Sequence, residues 1–141
     1  DQIRETVSDL GEEALLSKHR EGGWTIKQLV HHIADSHLNY YIRIKLALTE
    51  EKPTITPFAE DQWARLVDSS LPIHHSIQLI ESLQERFVYL LQNLTREQWE
   101  RSFLHPEAGE ISIAECIGIY AWHGDHHLAH IQNAIKRYEQ S

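Results

Sequence analysis

Eleven of the 141 residues are histidines, and four of them, His123, His126, His127 and His130, fall within eight consecutive positions. Imidazole titrates near neutral pH and is the commonest side-chain ligand for a divalent metal. Two histidines four apart on a helix stand one above the other on the same face and can grip one ion, the geometry of the HExxH enzymes. This segment offers two such pairs, His123 with His127 and His126 with His130. A pair alone is a weak chelate. A tight site needs a third protein ligand, with the remaining positions left to water or substrate. His31, His32 and His37 form a second group that can supply it.

Helical periodicity discriminates between these histidines. At about 100° per residue, His123 and His127 lie about 100° and about 60° from the centre of the apolar stripe of their helix. His126 and His130 lie about 160° and about 120° away, on the side expected to face solvent. In the earlier group His37 falls about 10° from the centre of its stripe, while His31 and His32 lie on opposite flanks, each about 130° away. Spacing alone therefore nominates His37 as the third ligand. A lone histidine within an apolar stripe is, however, more often a hydrogen-bonded core residue.

The elements that must position these residues are announced by three capping boxes, Thr25 to Gln28, Thr95 to Gln98 and Ser112 to Glu115. The first opens a helix from about residue 25 to 49, with Trp24 before the cap as a hydrophobic staple. Its expected core stripe is Ile26, Leu29, Val30, Ile33, Ala34, Tyr41, Ile44 and Leu48. Pro53 and Pro57 mark a loop, followed by a short helix through Trp63 and Leu66. After Pro72 a second long helix presents Ile77, Ile80, Leu83, Phe87, Leu90, Leu91 and Leu94 and ends near Asn93. Thr95 caps a brief helix through Trp99, residues 104–110 read as a loop, and Ser112 opens the last helix, which runs to about residue 138. That helix carries Ile113, Ala114, Ile117, Tyr120, Ala121, Leu128, Ile131 and Ile135 on one face. Ile3, Val7 and Leu10 mark the tail of a further helix whose beginning is expected to lie outside the sequence. No alternating strand pattern is visible. The expected fold is an all-α, four-helix bundle with long connections and short extra helices, folded as one domain over residues 1–141.

Composition narrows the function. Lys and Arg number 13 against 21 Asp and Glu, a formal charge of −8, which argues against nucleic-acid or anionic-membrane binding. No apolar run approaches the roughly 18 residues of a membrane span. The single cysteine, Cys116, cannot form an internal disulfide, so a cytoplasmic location is expected.

The run Arg20 to Thr25 (REGGWT), its continuation Val30 to His37 (VHHIADSH) and the segment Tyr120 to Ile131 (YAWHGDHHLAHI) together resemble the YfiT-like branch of the DinB superfamily. The likeness extends through Leu46 to Pro53, Phe58 to Trp63 and His105-Pro106, nearly the whole chain. It implies a helical bundle holding one divalent metal, zinc or nickel, by three histidines plus water. Matched by position, these are His32, His123 and His127. The last two agree with the periodicity; His32 rests on the resemblance alone. The resemblance also implies a homodimer, and either metal-dependent hydrolysis or transfer of a low-molecular-weight thiol such as bacillithiol.

A metal held by neutral imidazoles keeps its full charge. It can lower the pKa of a bound water, polarise a carbonyl or deprotonate a thiol. Asp35 and Asp125 are possible acceptors for the outer ring nitrogens of the ligands. Arg20 is a possible contact for an anionic substrate, Trp122 a possible pocket wall, and Cys116 a small core residue rather than a nucleophile. The expected function is thus a divalent-metal-dependent enzyme acting on a small molecule, with a non-catalytic metal-binding stress sensor or binding module as the alternative.

Overall fold

The computed structural model describes residues 2–140, and its framework is three long helices. Helices α1 (Gln2–Val7) and α2 (Glu12–Leu15) lead into α3 (Ile26–Thr49). Helix α4 (Glu60–Ala64) and a 3-10 turn (Val67–Ser70) precede α5 (His74–Gln92). Helix α6 (Arg96–Trp99) is followed by a hairpin of β1 (Ser102–His105) and β2 (Gly109–Ser112), and α7 (Ile113–Glu139) closes the chain. Helix α3 is central and packs against both α5 and α7.

Local chemistry explains the boundaries. All three capping boxes form, with Thr25, Thr95 and Ser112 each accepting from the amide three residues on. The far end of α3 leaves carbonyls without helical partners. Arg101 donates to two of them, from Nε to the Ala47 oxygen at 2.7 Å and from Nη2 to the Glu50 oxygen at 2.8 Å.

The core has two apolar compartments. One gathers Ile3, Val7, Ile26, Val30, Ile33, Ile77, Ile80 and Ile131, and the other Tyr41, Ile44, Phe87, Phe103, Ile113 and Cys116. Each fully buried large side chain contributes about 1.5–3 kcal/mol. Between the compartments runs a polar layer built from His37 of α3, Gln84 of α5 and Tyr120 of α7. The expected stripes hold for α3 and α5, except that Ala47 is buried outright where Leu48 is half-buried. On α7 the stripe is narrower, because Ala114 and Ala121 are exposed.

The fold is helical, as expected, but residues 104–110 are a hairpin rather than a loop. Phe103 pairs with Ile111 and His105 with Gly109 in antiparallel register. Gly109 adopts φ 86°, a conformation that favours glycine, at the exit of the turn. His105 Nδ1 accepts from the amides of Glu107 and Ala108, both at 3.1 Å. Strands of four residues are too short to show an alternating pattern, and tertiary contacts fix them. The Leu104 amide donates to the Pro53 oxygen at 2.8 Å and its carbonyl accepts from Ile55 at 2.9 Å. The short helix expected to reach Leu66 ends at Ala64. Among the described residues no helix is long and apolar enough to cross a membrane.

Candidate metal centre

Helices α3 and α7 bring two of the predicted histidines into direct contact. His32 Nε2 lies 3.1 Å from His127 Nε2. His32 is wedged between Trp24, the residue before the α3 cap, with ring centroids 4.7 Å apart, and Phe58, at 6.2 Å. Ser36, one turn on, places its Oγ 3.3 Å from the same nitrogen. Burial, and then the neighbouring His123, pushes the His32 pKa down to about 4. Burial, and then His32 and His123, pushes that of His127 down to about 3. Both rings are therefore neutral at physiological pH, the form that binds a metal. His127 Nδ1 is buried with no hydrogen-bond partner among the described residues.

His123 stands one turn before His127, with ring centroids 5.9 Å apart and planes inclined by 29°. Among the described residues, no three His, Cys, Asp or Glu side chains are already converged on one point. Among the described residues His123 makes no contact at hydrogen-bond distance with either of the other two rings. The donor set suits a divalent metal: two neutral imidazole nitrogens face each other, and a third imidazole lies within one turn of helix.

The other histidines are otherwise engaged. His37 donates from Nδ1 to the Ile33 carbonyl at 3.0 Å, and its Nε2 accepts from the Tyr120 hydroxyl at 2.5 Å. It thus has no free ring nitrogen, although spacing nominated it. His31 is tied to Ser76 Oγ at 2.6 Å and to the Leu71 carbonyl at 2.7 Å. On the outer side of α7, His126 is exposed and stacks on Trp122. His130 is half-buried rather than freely solvated, lying flat against His19 at 4.4 Å.

A cavity of about 270 Å³ adjoins His123. Its floor is the α3 face that continues from His32 at helical spacing through Ser36, Asn39, Tyr40 and Arg43. Phe58 and Phe103 wall it from the loop and the hairpin, and Cys116 and Ile119 from α7. Burial pushes the Cys116 thiol up to about 11, so it stays protonated, and raises Tyr40 to about 12. The sequence reading missed this floor, although its spacing from His32 is legible once that residue is fixed. Four expected contributors lie elsewhere. Arg20 and Trp122 are exposed and do not line the cavity, and Asp35 and Asp125 hydrogen-bond to none of the three rings among the described residues.

A bundle whose central and last helices press histidines together beside a cavity belongs to a recognisable class of helical proteins. The DinB superfamily model matches residues 1–131, and the chain belongs to that superfamily. A relative from Oceanobacillus iheyensis, provisionally named a metal-dependent hydrolase, is 55% identical over 135 residues, covering 96% of this chain and 78% of the relative. YfiT from Bacillus subtilis superposes with a TM-score of 0.94 at 41% identity, over 98% of this chain and 80% of that one. It is described as a probable metal-dependent hydrolase with an unusual four-helix bundle topology. A mycothiol-dependent maleylpyruvate isomerase shares the fold, with a TM-score of 0.74 at 18% identity, over 92% of this chain and 55% of that one.

Proposed function

We propose that His32, His123 and His127 hold one divalent ion, zinc or nickel, and that the chain is a metal-dependent enzyme acting on a small molecule in the adjoining cavity. The observation that carries this reading is the 3.1 Å approach of the His32 and His127 Nε2 atoms. Two imidazoles kept neutral and pressed nitrogen to nitrogen share at most one proton between them, and a cation relieves the repulsion of their lone pairs. When bound, such an ion supplies Lewis acidity, lowering the pKa of a water or thiol and polarising a carbonyl.

The chain's own residues set the rest. Trp24 and Phe58 exclude water from one side of His32 and fix its ring. Tyr40, held neutral by burial, offers a hydroxyl donor at the cavity floor. The cavity favours an enzyme over a sensor, because a site that only stores metal needs no room beside it.

Two reactions suit the site, hydrolysis and thiol transfer. The names of the relatives support hydrolysis. Among the described lining residues the exposed Glu60 and the half-buried His105 are the groups that could take a proton from either a water or a thiol. A homodimer in the cytoplasm is part of the same proposal.

Elemental analysis of untagged protein tests the metal, with near-stoichiometric zinc or nickel expected. Two panels then test the chemistry: hydrolysis of activated esters and amides, and addition of bacillithiol, glutathione or cysteine to a generic electrophile. Bound metal with no turnover on either panel would favour the sensor.

A further inference from the structure

The cavity contains a cation with no anionic partner among the described residues. Arg43 lies at the end of the α3 stripe away from His32, half-buried, and among the described residues it forms no ion pair and no hydrogen bond. Its one contact of note is a guanidinium carbon 5.8 Å from the Tyr40 ring, a long cation–π approach that leaves all five N–H donors unspent. By contrast, Arg101 and Arg4 both have their donors on carbonyls or carboxylates. The other polar groups of the floor are partly used within the protein: Asn39 donates to the Asp35 carbonyl at 2.8 Å, and Ser36 is paired with His32.

Tyr40 links this cation to the histidines. Its ring centroid is 6.2 Å from that of His123 and 5.8 Å from the Arg43 guanidinium. Arginine and histidine therefore both line one short cavity, each within about 6 Å of the Tyr40 ring, with Phe58, Phe103 and Ile119 supplying apolar walls. In a chain of net charge −8 the cavity lining sets one cation, Arg43, against one carboxylate, Glu60. Glu60, which also lines the cavity, is exposed at its rim and is not paired with Arg43.

We propose that the substrate is a small carboxylic acid, its carboxylate anchored by Arg43, its apolar segment against Phe58 and Phe103, and its reactive end directed at His123. This assignment rests on the metal reading for its reactive end, but the anchor itself is independent of the metal. A guanidinium meets a carboxylate through two parallel hydrogen bonds, which neither a neutral amide nor a lysine reproduces. Arg43 is thus a specificity-determining residue.

The test is calorimetric titration of mercaptopropionate and mercaptohexanoate, each against its matched mercaptoalcohol, into metal-loaded and metal-free protein. The wild type should bind at least one acid about tenfold or more tightly than its alcohol. Arg43→Gln should erase that preference while leaving metal content, the circular dichroism spectrum and alcohol affinity unchanged, and Arg43→Lys should restore part of it. No acid preference in the wild type, or an undiminished one in Arg43→Gln, overturns the anchor. The metal-free arm separates the two readings. An acid preference that persists there, with the metal adding nothing to affinity for any probe, keeps the anchor and removes the metal's role. Affinity gained from metal equally by acids and alcohols, without acid preference, does the reverse.

Discussion

His32 and His37 sit five positions apart on α3 and are buried to almost the same depth, 3% and 5% exposed. What differs is where their ring nitrogens go. His37 spends both on the protein, one on the Ile33 carbonyl and one on Tyr120, and with Gln84 it ties α3 to α5 and α7. His32 turns its Nε2 toward another imidazole. Burial does not separate a structural histidine from a ligand; the occupancy of its lone pairs does.

The largest effect that can break this contrast is loss of metal. His127→Ala and His32→Ala should each abolish metal retention, a fall in affinity of about a hundredfold or more, since each removes one of three proposed ligands. The heat stability gained on loading the wild type with zinc or nickel should vanish in both, because a ligand stabilises a fold only as far as it binds it. His37→Ala should keep its metal. If His37→Ala releases metal while His32→Ala does not, the two histidines have been assigned the wrong way round.

The same pair predicts the reverse order for stability of the metal-free protein. His37→Ala leaves the Tyr120 hydroxyl without its acceptor between two apolar compartments and opens a cavity. The expected cost is about 2–4 kcal/mol in urea unfolding. Tyr120→Phe removes the donor but preserves the ring, which stacks on Phe87 at 5.2 Å, so it should cost only about 1 kcal/mol. A larger loss from His32→Ala than from His37→Ala in the absence of metal would make His32 the structural residue.

Acid separates the regions more gently. The folded-state pKa values of His32 and His127, about 4 and about 3, lie below the ordinary value of 6.5. Between 6.5 and those values the unfolded chain binds protons that the folded chain does not. The metal-free protein should therefore hold this part of its stability above pH 6.5 and lose it progressively as the pH falls toward 4 and then 3. His32→Ala should flatten that decline in thermal melts taken across the range. An unchanged slope would mean that the pair is not the source.

These contrasts also show what the sequence made legible. Local rules were sufficient for α3, α5 and α7, because a capping box and a 3.6-residue stripe are written in adjacent residues. The same rules placed His123 and His127 on the inner edge of α7. At His37 they report only that a side chain is buried. The acceptor and donor that occupy it, Ile33 and Tyr120, are revealed only when α7 docks. The hairpin was invisible for a similar reason. Its four-residue strands depend on Pro53 and Ile55, about fifty positions earlier in the chain. Arg43 was within reach, eleven positions after His32 and on the same face, but nothing in its own neighbourhood marks it as unpaired.

The smallest predicted effect tests the periodicity argument at its weakest point. His126 and His130 have the same spacing as His123 and His127, and their rings are nearer each other, with centroids 4.2 Å apart rather than 5.9 Å. Proximity alone would make them the better pair. Yet His126 is exposed and stacked on Trp122, while His130 lies flat on His19 with planes only 7° apart. Each of these two rings is held against a neighbour on the outer side of α7, and among the described residues neither brings a ring nitrogen within hydrogen-bond distance of another imidazole, as His127 does with His32. His130→Ala should therefore leave metal content nearly intact and change stability by about 0.5 kcal/mol, as for a partly exposed surface contact. Metal analysis of His130→Ala beside His127→Ala makes the comparison direct. Equal losses in the two variants would show that the outer face of α7, and not the face pressed against His32, holds the ion.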